Sequence, residues 1–338
     1  MSTDHFPDPD MPDFSDIRLD GNVHEVPESV VVAYGLESAS ITPLATGSYN
    51  VHFRVDHRDE RFDLRRSNRP SEPGNLNYEA EILNYLETSG FTLAPRIVRT
   101  KTGESNLWSS ETGWTLFHWM GDGAPKGQPV VNSTRIKNAS IVLAEIHSVG
   151  RDLVPDAARG DWPVFAQPSS DPTVWLRRAE ALAERLGIEG DDLVNMAKIS
   201  AAELASINFV ELPEFMCHGD FRMRNLQFTG DDLTGVFDFD ISMRASRLLD
   251  LGGAVTRFSP FGGDPRADPE SGAEFLRNYH RQLPLSDYEI EVLPIFIRWR
   301  LLRDVVIYFD YWWLKVRDSA TKLFDGVAEY LVNRAISH

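Results

Sequence analysis

Cysteine, positive charge and long hydrophobic runs are all scarce in this 338-residue chain. The single cysteine, Cys217, excludes an intramolecular disulfide framework and a zinc site built from several thiolates. Lys and Arg number 34 against 51 Asp and Glu, which gives a net charge of −17. A surface this acidic repels phosphate backbones, so we expect neither nucleic acid nor an anionic membrane as a partner.

The hydrophobic segments are too short to predict a membrane span. The most apolar stretch, Val305–Leu314, is interrupted by Asp310 and falls short of the roughly 20 apolar residues that a transmembrane helix needs. A secretory signal consists of a basic segment followed by an apolar core, and the first residues do not show this pattern. These features predict a cytoplasmic protein.

Hydrophobic patterning divides the chain into three parts. We predict an acidic disordered tail over 1–22, a β-rich N-lobe over 23–119 and a mainly helical C-lobe over 120–338. The N-lobe shows strand alternation followed by one helix with an apolar face, and Gly-rich turns precede the C-lobe. The helices predicted for the C-lobe cover 132–148, 172–187, 191–208, 271–282 and 286–316.

The strongest chemical signal is the segment His218–Asn225, His-Gly-Asp-Phe-Arg-Met-Arg-Asn, which a predicted β-hairpin connects to Asp238-Phe-Asp240. Phosphoryl transfer needs a carboxylate that orients and deprotonates the attacking hydroxyl, and oxygen ligands that hold Mg²⁺ against the phosphates. Asp220 and Asn225 can divide these tasks, and Asp238 can complete a set of hard oxygen ligands. The plainer alternative is a polar turn beside a buried strand, with the aspartate as a cap and the histidine in the core.

This arrangement resembles the kinase-like phosphotransferases, the family of aminoglycoside phosphotransferases, choline kinases and bacterial homoserine kinases. Their short signature is H-G-D-x-x-x-x-N followed by an aspartate at the end of the next hairpin. The resemblance implies an α+β, two-lobed protein-kinase-like fold with ATP and Mg²⁺ as cofactors. It implies that Asp220 is the catalytic base and that Asn225 and Asp238 bind Mg²⁺. Asp240 stands where protein kinases have the glycine of D-F-G, and it is expected to be a supplementary metal ligand.

Structural roles follow from the same resemblance for three other residues. His218 is expected to brace the catalytic loop, and Asp250 resembles a structural aspartate that also braces it. His147 matches a helix that ends in L-x-x-x-H, and we expect it to be a core histidine with its hydrogen bonds satisfied.

A kinase fold also requires a phosphate-covering loop and a cation upstream of the catalytic loop. Gly47, Ser48 and Asn50 occupy the loop position, where small residues with exposed N–H groups can approach phosphate oxygens. Arg65 stands at the cation position and is the candidate we favour. Arg66 is its rival, and strand alternation places these two side chains on opposite faces.

A helix glutamate should pair with that cation. Glu79 fits the spacing of the family, while its rival Glu81 is expected to face solvent. The predicted order of loop, cation, helix acid, catalytic aspartate and metal ligands is the order that the fold requires.

The resemblance to bacterial homoserine kinases extends loosely into the C-terminal helices, where the family binds its acceptor. A zwitterion such as homoserine needs a cation for its carboxylate and an acid for its amine. An aminoglycoside or choline-like acceptor would instead favour clustered carboxylates or an aromatic cage. The charged candidates in this region are Arg298, Arg300, Arg303, Asp304 and Asp310.

The function predicted is therefore an ATP- and Mg²⁺-dependent kinase that phosphorylates a hydroxyl of a small, amine-bearing metabolite. One alternative is a nucleotide-binding pseudokinase with a regulatory role, although such proteins usually lack one of the residues at positions 220, 225 and 238. Another is a metal-dependent phosphoesterase built on His218, Asp220 and Asp238, which would leave the β-rich N-lobe without a purpose.

Overall fold

The computed structural model describes residues 25–44, 50–67, 73–109, 112–121, 131–159, 171–186, 192–259, 270–307 and 323–336. The chain divides into two units, Met1–Gly123 with Val154–Phe165 and Ala124–Leu153 with Ala166–His338. The division falls close to the expected boundary at 119 and 120. The return of 154–165 to the first unit was not anticipated from the sequence, and the tail predicted over 1–22 lies outside the described residues.

The first unit is built on an antiparallel sheet whose described strands run in the order β1-β2-β3-β6-β4, with β5 beside β6. The hairpin between β2 and β3 turns at Arg58 and Asp59, which both adopt the positive φ that a two-residue hairpin of this kind requires. The elements are α1 (Glu28–Tyr34), β1 (Ser40–Pro43), β2 (Asn50–His57), β3 (Glu60–Ser67), α2 (Pro73–Thr88), β4 (Ile97–Val98), β5 (Leu107–Ser109) and β6 (Thr112–His118).

The two faces of this sheet carry different chemistry. Phe62 and Leu64, two positions apart on β3, pack into an apolar core with residues of α1 and with Trp114 of β6. Arg65 follows Leu64 directly in the strand. Because successive side chains alternate, Arg65 projects from the opposite face of the sheet. On that face it meets Glu79 of α2.

The second unit is mainly helical and contains two small antiparallel pairs of strands, β7 with β10 and β8 with β9. Its elements are α3 (Ser133–Val149), α4 (Val174–Leu186), α5 (Asp192–Ala205), β7 (Glu214–Cys217), β8 (Leu226–Thr229), β9 (Asp232–Val236), β10 (Met243–Ser246), α6 (Leu248–Arg257), α7 (Ser271–Gln282), α8 (Asp287–Ile307) and α9 (Ala328–Ile336). The five predicted helices match α3, α4, α5, α7 and α8, although the part predicted over 308–316 lies outside the described residues. No helix in the described ranges has the length and apolar character needed to cross a membrane.

Several elements formed where the local sequence did not indicate them, and α1 and β10 are two examples. The short helix α1 contains the run Val30-Val31-Val32, and β-branched residues have only modest helix propensity. Burial of Val30 and Tyr34 stabilises this helix, and Gly35 ends it in the left-handed conformation. Strand β10 depends on pairing with β7, a contact between distant parts of the chain that local pattern cannot show.

The helices α6 and α8 approach closely at Gly252. A Cβ atom at this position would lie 2.7 Å from the carbonyl oxygen of Phe296 and 2.8 Å from its carbonyl carbon. Since the obstacle is helix backbone rather than a flexible side chain, the two helices would have to separate. Gly253 differs, because its Cβ would meet the guanidinium carbon of Arg300 at an ordinary 3.4 Å.

Substituting Gly252 should therefore disturb the packing of α6 on α8. We expect Gly252→Ala to lower the free energy of unfolding by about 1–3 kcal/mol, measured by urea denaturation. Gly253→Ala is the matched control, in which higher helix propensity should leave stability unchanged or raise it by up to about 1 kcal/mol. Equal effects of the two substitutions would contradict the close approach at Gly252.

Candidate active site

The predicted base and the predicted metal ligand lie together on the loop between β7 and β8. The Nδ2 group of Asn225 donates to the main-chain oxygen of Asp220 at 2.9 Å and to its carboxylate Oδ2 at 3.1 Å. Both residues are buried, with exposures of 8% for Asp220 and 7% for Asn225. These bonds fix the orientation of the Asn225 amide, with its nitrogen toward the base and Oδ1 as the atom suited to a cation.

A single buried carboxylate, that of Asp250 in α6, holds the start of this loop. Its Oδ2 accepts the backbone N–H of His218 at 2.6 Å, and its Oδ1 accepts that of Gly219 at 2.8 Å. The sequence prediction that Asp250 braces the catalytic loop is confirmed. Gly219 adopts a φ of 84°, and a Cβ there would overlap the carbonyl oxygen of Ile241, so the middle residue of His-Gly-Asp must be glycine.

Asp250 is itself held by a histidine from α3. His147 Nε2 lies 3.1 Å from Asp250 Oδ2, and His147 Nδ1 lies 2.7 Å from the hydroxyl of Tyr279 in α7. Because an ionised carboxylate only accepts, Nε2 carries the proton and donates. Both nitrogens of this fully buried ring have partners, which confirms His147 as a satisfied core histidine.

Burial alone would raise the pKa of Asp250, but the hydrogen bond from His147 and the N–H of Gly219 outweigh it and lower the pKa. The stability that this carboxylate contributes is therefore present above the ordinary carboxyl pKa of about 4. It is lost as the pH falls through the lower value in the folded protein. Asp250 remains an acceptor throughout the neutral range.

His218 is neutral and has a defined tautomer. Its Nε2 lies 3.0 Å from the carbonyl oxygen of Phe237 and must donate, while its Nδ1 accepts the backbone N–H of Asp220 at 3.2 Å. Burial lowers the pKa of His218, although the charge of Asp250 opposes the shift. The folded state should therefore lose stability as the pH falls below about 6.5, since only the unfolded chain then takes up the proton. These contacts confirm that His218 braces the loop.

The hairpin of β8 and β9 returns the chain to Asn225. Leu226 pairs with Val236, and the N–H of Phe237 donates to the main-chain oxygen of Asn225 at 2.8 Å. Asp238 follows directly in a left-handed conformation with a φ of 69°, which is uncommon outside glycine and typical of functional positions. The backbone thus brings Asp238 beside the residue predicted to share the cation.

The donor set of Asn225, Asp238 and Asp240 fits a hard divalent cation. It consists of an amide oxygen and carboxylates, the ligand types that Mg²⁺ binds in proteins, and the Asn225 amide is already oriented by Asp220. Asp238 and Asp240 are both partly exposed residues, although Oδ1 of Asp240 is buried. Their role as metal ligands remains a prediction.

In the first unit, the predicted cation and helix acid form a bidentate pair. Arg65 Nη1 and Nη2 donate to Glu79 Oε1 and Oε2 at 2.8 and 2.5 Å, and each side chain is only 5% exposed. The guanidinium also lies over the ring of Phe117 at 5.1 Å. Two of the five N–H donors of the guanidinium go to Glu79, and this bidentate contact fixes the plane of the group.

The rival residues have different surroundings. Arg66 projects from the face of β3 opposite to Glu79. Glu81 was expected to face solvent; it is partly exposed, and its carboxylate also accepts the backbone N–H groups of Asp156 at 2.6 Å and Ala157 at 3.2 Å. Those partners lie far along the chain, so no local pattern could indicate the contact.

The predicted phosphate loop is described only in part. Gly47 and Ser48 lie outside the described residues. Asn50 is the first residue of β2, is buried and pairs in register with Ser67 of β3. These three positions remain predictions for phosphate binding.

Sequence reasoning missed Arg257, the last residue of α6, whose Nη1 contacts Oδ1 of Asp220 directly. Arg222 Nε lies 2.9 Å from Oδ2 of the same carboxylate. Among the charged candidates of α8, Arg300 reaches within 3.8 Å of Asp220. Arg298 does not belong to this group, since it pairs with Glu203 and Glu329, and Asp310 lies outside the described residues.

An antiparallel sheet unit and a helical unit that carries a braced His-Gly-Asp loop define the protein-kinase-like fold of small-molecule phosphotransferases. The family model described as phosphotransferase enzyme family, APH, matches residues 40–286. The chain belongs to this family, and the family resemblance and the α+β protein-kinase-like fold predicted from the sequence are confirmed. The protein is accordingly an enzyme that transfers a phosphoryl group to a hydroxyl of a small molecule.

Individual relatives are distant but extend over most of the chain. A homoserine kinase of Bradyrhizobium sp. (strain ORS 278) is 24% identical over 269 residues, covering 79% of this chain and 78% of its own. A microcompartment-associated aminopropanol kinase superposes with a TM-score of 0.64 and 19% identity, over 91% of this chain and 94% of its own. The amicoumacin kinase hAmiN, in complex with AMP-PNP, Ca²⁺ and Ami, gives a TM-score of 0.60 and 13% identity, over 91% and 92%.

Removing the charge at Asp250 should loosen the whole loop. Asp250→Asn would turn an amide NH₂ toward donors that need an acceptor, and we expect it to lower the free energy of unfolding by at least about 2 kcal/mol. Activity should also fall, because Asp250 holds the N–H groups of His218 and Gly219, the two residues that precede Asp220. Asp232→Asn, an exposed acid in the same unit, is the control and should change neither quantity appreciably. A stable, active Asp250→Asn protein would rule out the brace.

Proposed function

We propose that the protein is an ATP- and Mg²⁺-dependent kinase that transfers the γ-phosphate to a hydroxyl of a small, amine-bearing metabolite. Homoserine-like acceptors are the first candidates, with aminoglycoside-like and choline-like acceptors as further ones. The observation that carries the proposal is the 3.1 Å hydrogen bond from Asn225 Nδ2 to the Asp220 carboxylate. It joins a potential base to a potential cation ligand, so the hydroxyl and the metal-bound phosphate would be neighbours.

In the proposed reaction, ATP supplies the phosphoryl group and Mg²⁺ neutralises charge on its phosphates. Asp220 binds the acceptor hydroxyl, orients it and takes its proton as the acceptor oxygen bonds to the γ-phosphorus and the bond to the ADP oxygen breaks. Asn225 and Asp238 would hold the cation, with Asp240 in support. Arg65, held by Glu79, would bind the nucleotide phosphates together with the loop at 47–50.

The choice of acceptor rests on the relatives. The Bradyrhizobium relative is described as a homoserine kinase and a structural neighbour as an aminopropanol kinase, and both of these acceptors combine an amine with a hydroxyl on a short carbon chain. The neighbour in complex with AMP-PNP and Ca²⁺ supports the combination of an adenine nucleotide with a divalent cation. The proposal includes a cytoplasmic location, in keeping with a requirement for ATP.

The role of Asp220 can be tested by a nearly isosteric change. In Asp220→Asn the side chain can no longer accept a proton, so turnover should fall by about 10²–10⁴-fold while ADP still binds. Turnover is measured by coupled ADP release over homoserine, choline, aminoglycosides and amino sugars, and ADP affinity by calorimetry.

Asp232→Asn, on the exposed β8–β9 hairpin, serves as the control and should keep full turnover. Undiminished turnover in Asp220→Asn would remove this residue from the mechanism. A wild-type protein that binds ADP but releases none with any acceptor would instead support the pseudokinase alternative.

Two substitutions test whether Arg65 or Arg66 is the cation that binds the nucleotide phosphates. Arg65→Lys keeps the charge opposite Glu79 but loses the planar fork, so the Kd for ADP should rise about tenfold. Arg66→Lys should leave the Kd unchanged, because this side chain projects from the other face of β3. The reverse order of effects would assign the role to Arg66.

A further inference from the structure

Two helices of the second unit bring arginines to the carboxylate of Asp220. Arg257 at the end of α6 contacts its Oδ1, and Arg300 of α8 lies 3.8 Å from the same oxygen. The side chains are 9% and 2% exposed, so both charges are well buried. An arginine that bonds the oxygen needed for the acceptor hydroxyl must share that oxygen or leave it when the acceptor binds.

The other edge of the Arg257 guanidinium is fixed by Asp304. Arg257 Nη2 and Nε donate to Asp304 Oδ2 at 2.8 and 3.1 Å. Arg300 and Arg303 lie 3.4 and 3.3 Å from Oδ1 of the same carboxylate. Burial would raise the pKa of Asp304, but these arginines lower it to about 2, so the acid stays ionised. Arg257 can therefore release Asp220 without losing its position.

Two arginines of α8 are committed to structural partners. Arg300 donates to the main-chain oxygen of Gly219 at 2.8 Å and packs against Gly253. Arg298 is bound by Glu203 and Glu329. Arg257 differs from both because one of its donors engages Oδ1 of the predicted base, whereas Arg222 lies 2.9 Å from Oδ2 of the same carboxylate.

We propose that Arg257 binds a carboxylate on the acceptor, and so makes the enzyme select hydroxy amino acids over amino alcohols. This inference rests on the proposed function. An acceptor carboxylate replaces Asp220 as the anion at Arg257 Nη1, which frees Oδ1 of the base for the hydroxyl. An amino alcohol offers no such anion, so Arg257 stays on the base.

Three acceptors that share a three-carbon hydroxypropyl unit test this selection. Homoserine carries both charged groups, 3-aminopropanol lacks the carboxylate, and 4-hydroxybutyrate lacks the amine. We expect the wild-type enzyme to use homoserine with a kcat/KM about 10- to 100-fold above that for 3-aminopropanol. The enzyme should retain activity on 4-hydroxybutyrate.

The role of Arg257 is tested by the preference between acceptors, not by the activity on one acceptor. Arg257→Gln should reduce the ratio of kcat/KM between homoserine and 3-aminopropanol by about 10- to 100-fold, with the loss mainly in KM for homoserine. Arg257→Lys should retain part of the ratio, since a point charge without the fork remains. Arg298→Lys is the control on α8 and should leave the ratio unchanged.

The outcomes separate the two levels of the proposal. Turnover without a preference for a carboxylate, or an equal fall for both acceptors in Arg257→Gln, would overturn the assignment of Arg257 and leave the kinase function standing. An equal fall would mean that Arg257 acts on Asp220 or on the transferred phosphoryl group. No turnover with any acceptor would overturn the proposed function and this assignment with it. Melting curves and ADP affinity show whether a variant is misfolded. If Arg257→Gln is misfolded, the kcat/KM ratio measured for Arg257→Lys decides between these outcomes.

Discussion

The carboxylate of Asp250 is the contact on which the catalytic loop depends. It is buried, and two backbone N–H groups and one imidazole compensate it. An ionised acceptor at this position makes the hydrogen bonds of the loop charge-assisted and short. Because the N–H groups belong to His218 and Gly219, the position of Asp220 is set by the main chain. Asp250 therefore fixes the backbone that leads to Asp220, while Asn225 and Arg257 contact the carboxylate of Asp220 itself.

The carbonyl oxygens of the same loop are also bound. The hydroxyl of Ser242 donates to the carbonyl oxygen of His218, and Arg300 donates to that of Gly219. His218 in turn holds the carbonyl oxygen of Phe237, one residue before Asp238. A rigid chain of hydrogen bonds therefore connects the predicted base to the predicted metal ligand of the next hairpin. Such rigidity suits phosphoryl transfer, in which positioning and electrostatics supply most of the catalysis.

The sequence predicted the parts of this site whose partners are close along the chain. The spacing of Asp220 and Asn225 is a property of one loop, and the hairpin that returns Asp238 is short, so the pattern of residues was sufficient. The bond between Arg65 and Glu79 joins a strand to the next helix, and the order of elements in the family indicated it. Their chemical roles still rest on the proposal.

Contacts across longer separations could not be inferred in the same way. Glu81 accepts backbone N–H groups 75 and 76 positions away. Every residue except proline has such a group, so the type of residue does not indicate the contact. Arg257 meets Asp220 and Asp304 across 37 and 47 positions, and an arginine at the end of a helix normally suggests only a favourable helix dipole. The hydrophobic pattern indicated α8 but not which of its charges face α6. That choice depends on the close approach at Gly252, which only the packed helices show.

Arg65 and Arg257 share one physical arrangement. In each unit a buried acid, Glu79 or Asp304, binds one edge of a guanidinium and fixes its plane. A buried arginine alone would carry a large desolvation cost, and an arginine fully paired would have no donor to offer. Holding part of the donor fork with an acid resolves this conflict, since the charge is compensated while the remaining donors keep a defined direction. Under the proposed function, Arg65 would direct those donors at the nucleotide phosphates and Arg257 at the acceptor, so both substrates of the transfer would be oriented by the same kind of contact.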